Sequence, residues 1–253
     1  MISKNRIIKS IPNTITLLNL VSGCISIVCA FEGNLQIAGI FILIAAVFDF
    51  FDGFTARLLG AYSPLGKELD SLSDVVSFGV APAMILFHLL KSSLGLENSE
   101  GLLSGNYILA VPFIMAAFSS LRLGIFNLDE RQTNSFIGLP TPANALLTVG
   151  LVFGLHSSWS SIFNLVASSP ALLIIFIIAQ SAILICELPM FSLKLKSLKF
   201  SVAYKQITLI IGAIVLISTF QTAALSLVIL WYIALSTFFW IFEGKEKEEV
   251  IGS

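Results

Sequence analysis

The chain consists almost entirely of long apolar segments, and their length limits the folds open to it. About eight of them approach the roughly 20 residues that a helix needs to cross a bilayer. Their approximate bounds are 11–31, 35–58, 70–91, 107–127, 142–160, 170–187, 205–220 and 222–242. Only 11% of the residues are charged, against about 25% in an ordinary soluble domain. The sequence therefore predicts an all-α, polytopic membrane helix bundle with about eight transmembrane helices.

No internal repeat and no separate soluble region interrupt this pattern, so we expect residues 1–253 to form a single integral-membrane domain. Its core should span about 11–200, with peripheral helices over 205–242 and a cytoplasmic tail over 243–253. The last two apolar segments are separated only by Thr219–Thr222 and can form one hairpin. With a net charge of −1, the chain has no overall footprint for nucleic acid.

The basic residues predict an orientation in the membrane. If the eight segments cross in alternation, all of the 14 lysines and arginines except Lys91 fall on the side of the N-terminus. By the positive-inside rule, both termini should be cytoplasmic, facing inward from the inner membrane in a bacterium. We expect the basic patch after the sixth segment to bind anionic lipid head groups. This basic patch consists of Lys194, Lys196 and Lys199.

Four aspartates lie within or beside the second and third apolar segments, where an isolated charge is costly. A charged side chain at mid-bilayer costs about 2.5–3.5 kcal/mol on insertion scales. Asp49 and Asp52 are three residues apart, and Asp70 and Asp74 are four apart, so each pair shares one helix face. Four negative charges require a cation, and oxygen-only ligands suit a hard divalent ion such as Mg²⁺ or Mn²⁺.

Turn-forming residues separate the two pairs of aspartates. On one straight helix, Asp52 and Asp70 would lie roughly 27 Å apart. Gly60, Ser63 and Pro64 fall between them and are typical of a turn. We therefore expect two helices folded back on each other, each presenting two carboxylates to a common point near the cytoplasmic edge of the bilayer.

Small residues beside the aspartates predict space for a ligand. Gly53 and Ala56 follow Asp52, and Gly66 lies one turn before Asp70, so a bulky group can approach the backbone closely. Arg57 can pair with an aspartate or bind a phosphate through two hydrogen bonds. A metal flanked by small residues and an arginine suits a nucleotide diphosphate attached to a lipid.

Two other interpretations stay open at this point. The aspartates can pair with Arg57, Lys67 and Arg122 to hold helices together, although three cations do not balance four aspartates and Glu68. Alternatively, the chain can be a cation-coupled transporter, whose carboxylates would also bind cations. Transporter sites usually lie at the bilayer midplane between inverted repeats, whereas these carboxylates cluster at one edge.

The aspartates and their small neighbours form a recognisable motif. The pattern Asp49-x2-Asp52-Gly53-x2-Ala56-Arg57-x8-Gly66-x3-Asp70-x3-Asp74 resembles the signature of the CDP-alcohol phosphatidyltransferase family. Its eight positions keep their spacing across 26 residues, which makes the resemblance specific. The resemblance implies six core helices with additions, a homodimer, and a metal-dependent exchange of CMP for an alcohol on a lipid phosphate.

The resemblance also implies roles for individual residues. Asp49, Asp52 and Asp70 resemble the ligands of a site for two metal ions. Asp74 resembles the general base, and it also resembles a ligand of the second metal. The family's nucleotide and diphosphate positions correspond to Gly53, Ala56, Arg57 and Gly66. Thr16 and Asn19 share a face of the first helix and are further nucleotide candidates, although polar helix packing explains that pair about as well.

The segments flanking the motif are similar to the phosphatidylserine synthase branch of this family. They include the stretches that begin at Ile11, Ser73, Leu121, Phe136 and Leu188. This similarity implies CDP-diacylglycerol and L-serine as substrates. A different acceptor stays open: glycerol 3-phosphate, an inositol phosphate or choline. A phosphorylated acceptor should require extra cations near the site, and this chain offers few.

One departure from the branch concerns how the acceptor is bound. Many relatives carry Leu-Arg-Leu-Ala-Arg-Phe-Asn, whereas Gly124 and Ile125 here replace Ala-Arg. Arg122, Asn127 and Lys67 remain the candidates for binding the acceptor or the lipid phosphate. The alternatives are that Arg122 anchors the membrane edge and that Asn127 caps a helix end. His88 and His156 fall near the opposite ends of their segments, so we expect both to be structural.

Overall fold

The computed structural model describes residues 4–96, 101–128, 136–191 and 200–251. Ten α-helices and a single pair of short strands account for most of these residues. The helices are α1 Lys4–Phe31, α2 Leu35–Leu58, α3 Pro64–Asp74, α4 Ala81–Ser93, α5 Phe113–Leu128, α6 Thr141–Leu155, α7 Ser160–Ala167, α8 Pro170–Ile185, α9 Phe200–Phe220 and α10 Ala224–Ile251. The strands are β1 Phe136–Ile137 and β2 Pro189–Met190. The predicted all-α class is confirmed.

Helix length supports a polytopic membrane bundle. Within the described ranges, five helical stretches are long and apolar enough to cross a membrane, and α6 and α7 add a sixth if that bent pair is one span. The stretch Tyr204–Phe242 doubles back on itself, because the ammonium nitrogen of Lys205 lies 5.2 Å from the centre of the Phe239 ring. It is therefore the hairpin of α9 and α10 that the sequence suggested.

Two of the predicted spans differ from the structure at their ends. The third span begins at Pro64 rather than near residue 70, because the Ser63 hydroxyl accepts a hydrogen bond from the Gly66 amide and starts the helix there. The fifth span ends at Leu155, and α7 leaves it at 119°. The α8 helix, with 16 residues, is shorter than the roughly 20 that cross a bilayer perpendicularly.

A π-helical segment, Val75–Val80, joins α3 to α4, and we call it the π-turn. Glycines bring neighbouring helices close to it. A Cβ on Gly23 of α1 would lie 2.8 Å from the Ser77 Cα, and one on Gly79 would lie 3.1 Å from the Ser119 Cβ of α5. The π-turn is thus packed between α1 and α5, directly after Asp74.

The strands connect the start of α6 to the end of α8. Phe136 pairs with Met190 and Ile137 with Pro189 in antiparallel register. The backbone N–H of Leu139 donates to the carbonyl of Ile183, at 3.1 Å. No pattern in the sequence indicates this strand pairing.

The buried apolar core is built mainly from residues of α2, α4 and α6. The α1 helix packs against α2, α3 and α4, while α5 packs against the π-turn and α8. The α9–α10 hairpin packs on α6. The predicted basic patch lies outside the described residues, as do residues 129–135 of the loop before α6. The α10 helix continues to Ile251, so the backbone of the predicted tail is helical over most of its length.

Candidate active site

Three of the four aspartates converge on one point. One carboxylate oxygen from each of Asp49, Asp70 and Asp74 lies within 4.8 Å of the other two. Asp49 belongs to α2 and the other two to α3, so the turn between these helices brings them together. Gly60 in that turn has φ +58°, a conformation that glycine adopts without strain. The predicted fold-back is therefore present, and the cluster can hold a metal ion.

Asp52 lies beside this cluster and faces a cavity. It is only 6% exposed, and among the described residues its Oδ2 atom has no hydrogen-bond partner. A buried carboxylate oxygen without a partner is costly unless a ligand satisfies it. Asp52 and Asp70 both line the cavity. The set of oxygen donors fits a hard divalent metal ion.

The cavity has a volume of about 510 Å³ and lies between α1, α2 and the turn into α3. Of the residues predicted to bind nucleotide, Thr16, Gly53, Ala56 and Gly66 line it. A Cβ on Gly66 would lie 3.0 Å from Asn13 Oδ1 and 3.1 Å from Ser63 Oγ, so any larger residue would narrow the cavity. Its volume is within the range typical of small-molecule sites.

Arg57 lies next to the cavity rather than in its wall. Its side chain turns back along α2, and one terminal nitrogen lies 3.7 Å from where a Gly53 Cβ would be. The residue is exposed, so its guanidinium is accessible to a ligand. The cavity lining also includes Asn13 and Tyr62, which lie outside the sequence motif. Their positions depend on how α1 meets the turn, for which the motif gives no signal.

Asn19 contacts Asp74 instead of the cavity. Its side-chain amide donates to Asp74 Oδ1 at 3.3 Å, and it is fully buried. The Ser77 hydroxyl donates to the Asn19 carbonyl at 3.0 Å. The π-turn thus places Ser77 against α1, where it holds the residue that orients Asp74. The predicted contact of Asn19 with nucleotide stays a prediction.

Arg122 lies inside the bundle beside the aspartates. It is 7% exposed and close enough to Asp74 for their charges to interact. Its guanidinium carbon lies 5.4 Å from the centre of the Phe126 ring. Burial of this kind does not suit an anchor at the membrane edge. Ile125, in contrast, is 44% exposed, so this position lies on the outside of the bundle.

Asn127 and Lys67 connect the end of α5 to α3. The Asn127 side-chain amide donates to Ser71 Oγ at 2.8 Å, and the Lys67 ammonium donates to the Asn127 carbonyl at 3.2 Å. Lys67 also lines the cavity, so it can reach a ligand there. Asn127 has a structural role in this arrangement, and its contact with an acceptor stays a prediction.

The two histidines lie away from the aspartates. His156 follows the end of α6, where its Nδ1 lies 3.1 Å from the Val152 carbonyl. The ring of His88 packs under the turn at Gly33. Its Cε1 atom lies 3.1 Å from the position that a Cβ on Gly33 would occupy. Both positions agree with the structural role expected from the sequence.

Comparison with known proteins identifies several that are similar to this chain. The model of the CDP-alcohol phosphatidyltransferase family matches residues 9–242. A CDP-diacylglycerol–serine O-phosphatidyltransferase of Methanocaldococcus jannaschii is 40% identical over 152 residues, which are 59% of this chain and 63% of that protein. An archaetidylserine synthase of Methanothermobacter thermautotrophicus is 35% identical over 164 residues, which are 63% of this chain and 65% of that protein.

A bacterial relative is similar to the same degree. The CDP-diacylglycerol–serine O-phosphatidyltransferase of Bacillus subtilis is 36% identical over 143 residues, which are 56% of this chain and 75% of that protein. The match to the Methanocaldococcus protein spans 63% of its length, and that to the Mycobacterium leprae enzyme of the same name spans 57%. These two matches therefore cover less than two thirds of each relative.

Proposed function

Because this chain belongs to the CDP-alcohol phosphatidyltransferase family, we propose that it transfers a phosphatidyl group from CDP-diacylglycerol to L-serine, giving phosphatidylserine and CMP. The observation that carries the proposal is the cluster of Asp49, Asp70 and Asp74, whose oxygens lie within 4.8 Å of one another beside a nucleotide-sized cavity. The names of the archaeal and bacterial relatives all contain serine, which supports this acceptor. Their names differ in the lipid, diacylglycerol or archaetidyl.

The four aspartates would hold two divalent ions, Mg²⁺ or Mn²⁺. The unpartnered Oδ2 of Asp52 and the three converging carboxylates support this assignment. When bound, such ions would stabilise negative charge on the attacking and leaving oxygens at phosphorus. The aspartates would hold these ions next to the cavity, which Asp52 and Asp70 line, so the ions would be close to a bound diphosphate.

The cavity would hold the cytidine diphosphate. Gly53, Ala56 and Gly66 keep its walls free of large side chains, and Thr16 offers a hydroxyl group. The exposed guanidinium of Arg57 can bind a phosphate oxygen pair. The acyl chains would then extend into the bilayer from the same edge of the bundle.

Asp74 would act as general base. It takes the hydroxyl proton of serine as the serine oxygen forms a bond to the lipid-proximal phosphorus. The bond between that phosphorus and the bridging oxygen breaks, and CMP leaves with the electron pair. Asn19 orients Asp74 by donating to its Oδ1 atom.

An acceptor screen tests the proposal. Purified protein with CDP-diacylglycerol and a divalent metal is expected to release CMP with L-serine and much more slowly with glycerol 3-phosphate, inositol phosphate or choline. Among the described residues, Arg122 is the one basic side chain in the buried interior, which favours a zwitterion over a phosphorylated acceptor. Faster release with glycerol 3-phosphate would contradict the acceptor. Metal-dependent uptake into vesicles without CMP release would instead support a transporter.

We further propose that the site and both termini face the cytoplasm and that two copies form a homodimer. The distribution of lysine and arginine in the sequence supports the orientation. The family resemblance supports the dimer. Crosslinking in native membranes, followed by electrophoresis, should give a species of twice the monomer mass.

A further inference from the structure

Four elements that pack against one another carry a second set of buried polar side chains, separate from those that line the nucleotide cavity. The α5 helix packs against both the π-turn and α8, and α6 packs against the same two elements. These four contacts close a ring. We give the name inner chamber to the buried region that holds these polar side chains, which are Ser119, Arg122, Asn144, Thr148 and Gln180.

The inner chamber contains more polar atoms than the protein satisfies. Asn144 is 0% exposed, and among the described residues neither its amide nitrogen nor its oxygen has a hydrogen-bond partner. The same holds for Nε of Arg122, Oγ of Ser119 and Nε2 of Gln180 within the described chain. Native proteins satisfy the great majority of buried polar atoms, and inside a bilayer the cost of failing to do so is high. Such a set points to a polar ligand.

Helix register brings Arg122 to Asp74. Asn127 of α5 contacts Ser71 of α3, and further along α5 Ser119 packs against Gly79 of the π-turn that follows α3. Arg122 lies between these two contacts, opposite the end of α3. Its charge interacts with that of Asp74, which places one end of the inner chamber at the proposed base.

Asn144 lies at a depth in the bundle similar to that of Asp49. The α2 and α6 helices are antiparallel, since α3–α4 and α5 each cross between them. Gly39 of α2 packs against Val149 and Phe153 of α6. Moving along α2 towards Asp49 therefore corresponds to moving back along α6 towards Asn144, and the two residues differ in depth by about one helical turn.

We propose that the inner chamber binds the acceptor as a zwitterionic amino acid and that Asn144 is a specificity-determining residue of this site. This inference rests on the proposed function. The Arg122 guanidinium pairs with the acceptor carboxylate. Asn144 offers both a hydrogen-bond donor and a hydrogen-bond acceptor. Its amide nitrogen donates to the acceptor's carboxylate, and its oxygen accepts from the acceptor's ammonium group. The acceptor hydroxyl then points to Asp74.

The test compares substrate dependence in two variants. Asn144→Leu keeps the branched shape of the side chain, with a larger volume, and removes its polar atoms, whereas Asn144→Ala removes the amide with less risk of a clash. Both are expected to raise the KM for L-serine roughly tenfold or more, because a hydrogen bond to a charged group is lost. The KM for CDP-diacylglycerol should change by less than about twofold, since Asn144 does not line the nucleotide cavity.

A control and a binding measurement separate this role from a structural one. Ser236→Ala, which removes another buried and unpartnered hydroxyl in the described chain, should change neither KM. Without CDP-diacylglycerol, L-serine should raise the melting temperature of the wild type and of Ser236→Ala, but not of the Asn144 variants.

An unchanged KM for serine in both Asn144 variants would overturn the inference, as would an equal rise in both KM values. A wild-type protein that releases no CMP in response to serine would overturn the proposed function itself. The two failures are therefore distinguishable.

Discussion

Asp74 is the residue on which most of the chemistry converges. It lies in the carboxylate cluster, accepts a hydrogen bond from Asn19 and faces the charge of Arg122. The sequence motif predicted the convergence of the aspartates, because their spacing fixes which helix face each occupies. It did not predict the partners on α1 and α5, since those depend on how non-adjacent helices pack. For this reason the sequence predicts ligand-binding roles for Asn19 and Arg122 but not their interactions with Asp74.

Asp74→Asn keeps the shape of the side chain but removes the proton acceptor. We expect CMP release to fall by about 10²–10⁴-fold, the usual contribution of a general base, and further if metal affinity also falls. Glu68→Gln is the matched control, an exposed acid on the same helix, and should retain activity. Full activity in Asp74→Asn would remove the assignment of the base.

Asn19→Ala distinguishes the observed contact from the role predicted from the sequence. If Asn19 orients Asp74, kcat should fall by roughly tenfold or more, while the KM for CDP-diacylglycerol stays within about twofold. The reason is that Asn19 contacts the base and not the cavity. A raised KM for CDP-diacylglycerol with unchanged kcat would instead support direct binding of the nucleotide.

At the scale of elements, the turn between α2 and α3 was predictable and the π-turn was not. Gly60, Ser63 and Pro64 each carry a local signal for a turn or a helix start, and the structure uses all three. The π-turn has no such local signal. Its extra residue per turn is stabilised by packing against α1 and α5, which local sequence does not reveal. The pairing of β1 with β2 joins residues far apart in sequence, and two-residue strands are too short to show a pattern.

Two glycine substitutions test the conformation of the turn. A Cβ on Gly60 meets nothing within 4 Å, so Gly60→Ala adds only the backbone cost of φ +58°, about 1 kcal/mol. Gly124→Ala also meets nothing but lies within helix α5, where alanine is favoured. Thermal unfolding in detergent should show a lower melting temperature for Gly60→Ala and an equal or higher one for Gly124→Ala. A lower value for Gly124→Ala alone would contradict this account.

At the scale of the whole molecule, apolar length predicts about eight spans, whereas five helical stretches in the described ranges are long and apolar enough to cross, or six with the bent α6–α7 pair. Apolar length also does not give the tilt or bends of the spans. The 119° bend between α6 and α7 falls within a stretch that reads as one apolar segment. The α9–α10 hairpin follows the sequence more closely, with Lys205 beside Phe239 where the two helices face each other. Packing between helices decides such features, and periodicity carries little of that information.

Site-directed labelling tests the proposed orientation. Tyr62 in the turn beside the cavity and Leu103 between α4 and α5 are both exposed. In a background with Cys24, Cys29 and Cys186 replaced, Leu103→Cys should react with a membrane-impermeant maleimide on intact cells. Tyr62→Cys should react only after permeabilisation. The reverse pattern would place the site on the outer face.

The central claim is that carboxylates at the edge of the bilayer bind divalent ions, which in turn hold the diphosphate of a lipid. Anomalous diffraction from crystals grown with Mn²⁺ and CDP-diacylglycerol tests it most directly. The account predicts Mn²⁺ peaks bounded by Asp49, Asp52, Asp70 and Asp74, with the diphosphate oxygens completing the coordination and the cytidine in the cavity. Peaks elsewhere, with a nucleotide that contacts none of these aspartates, would contradict it.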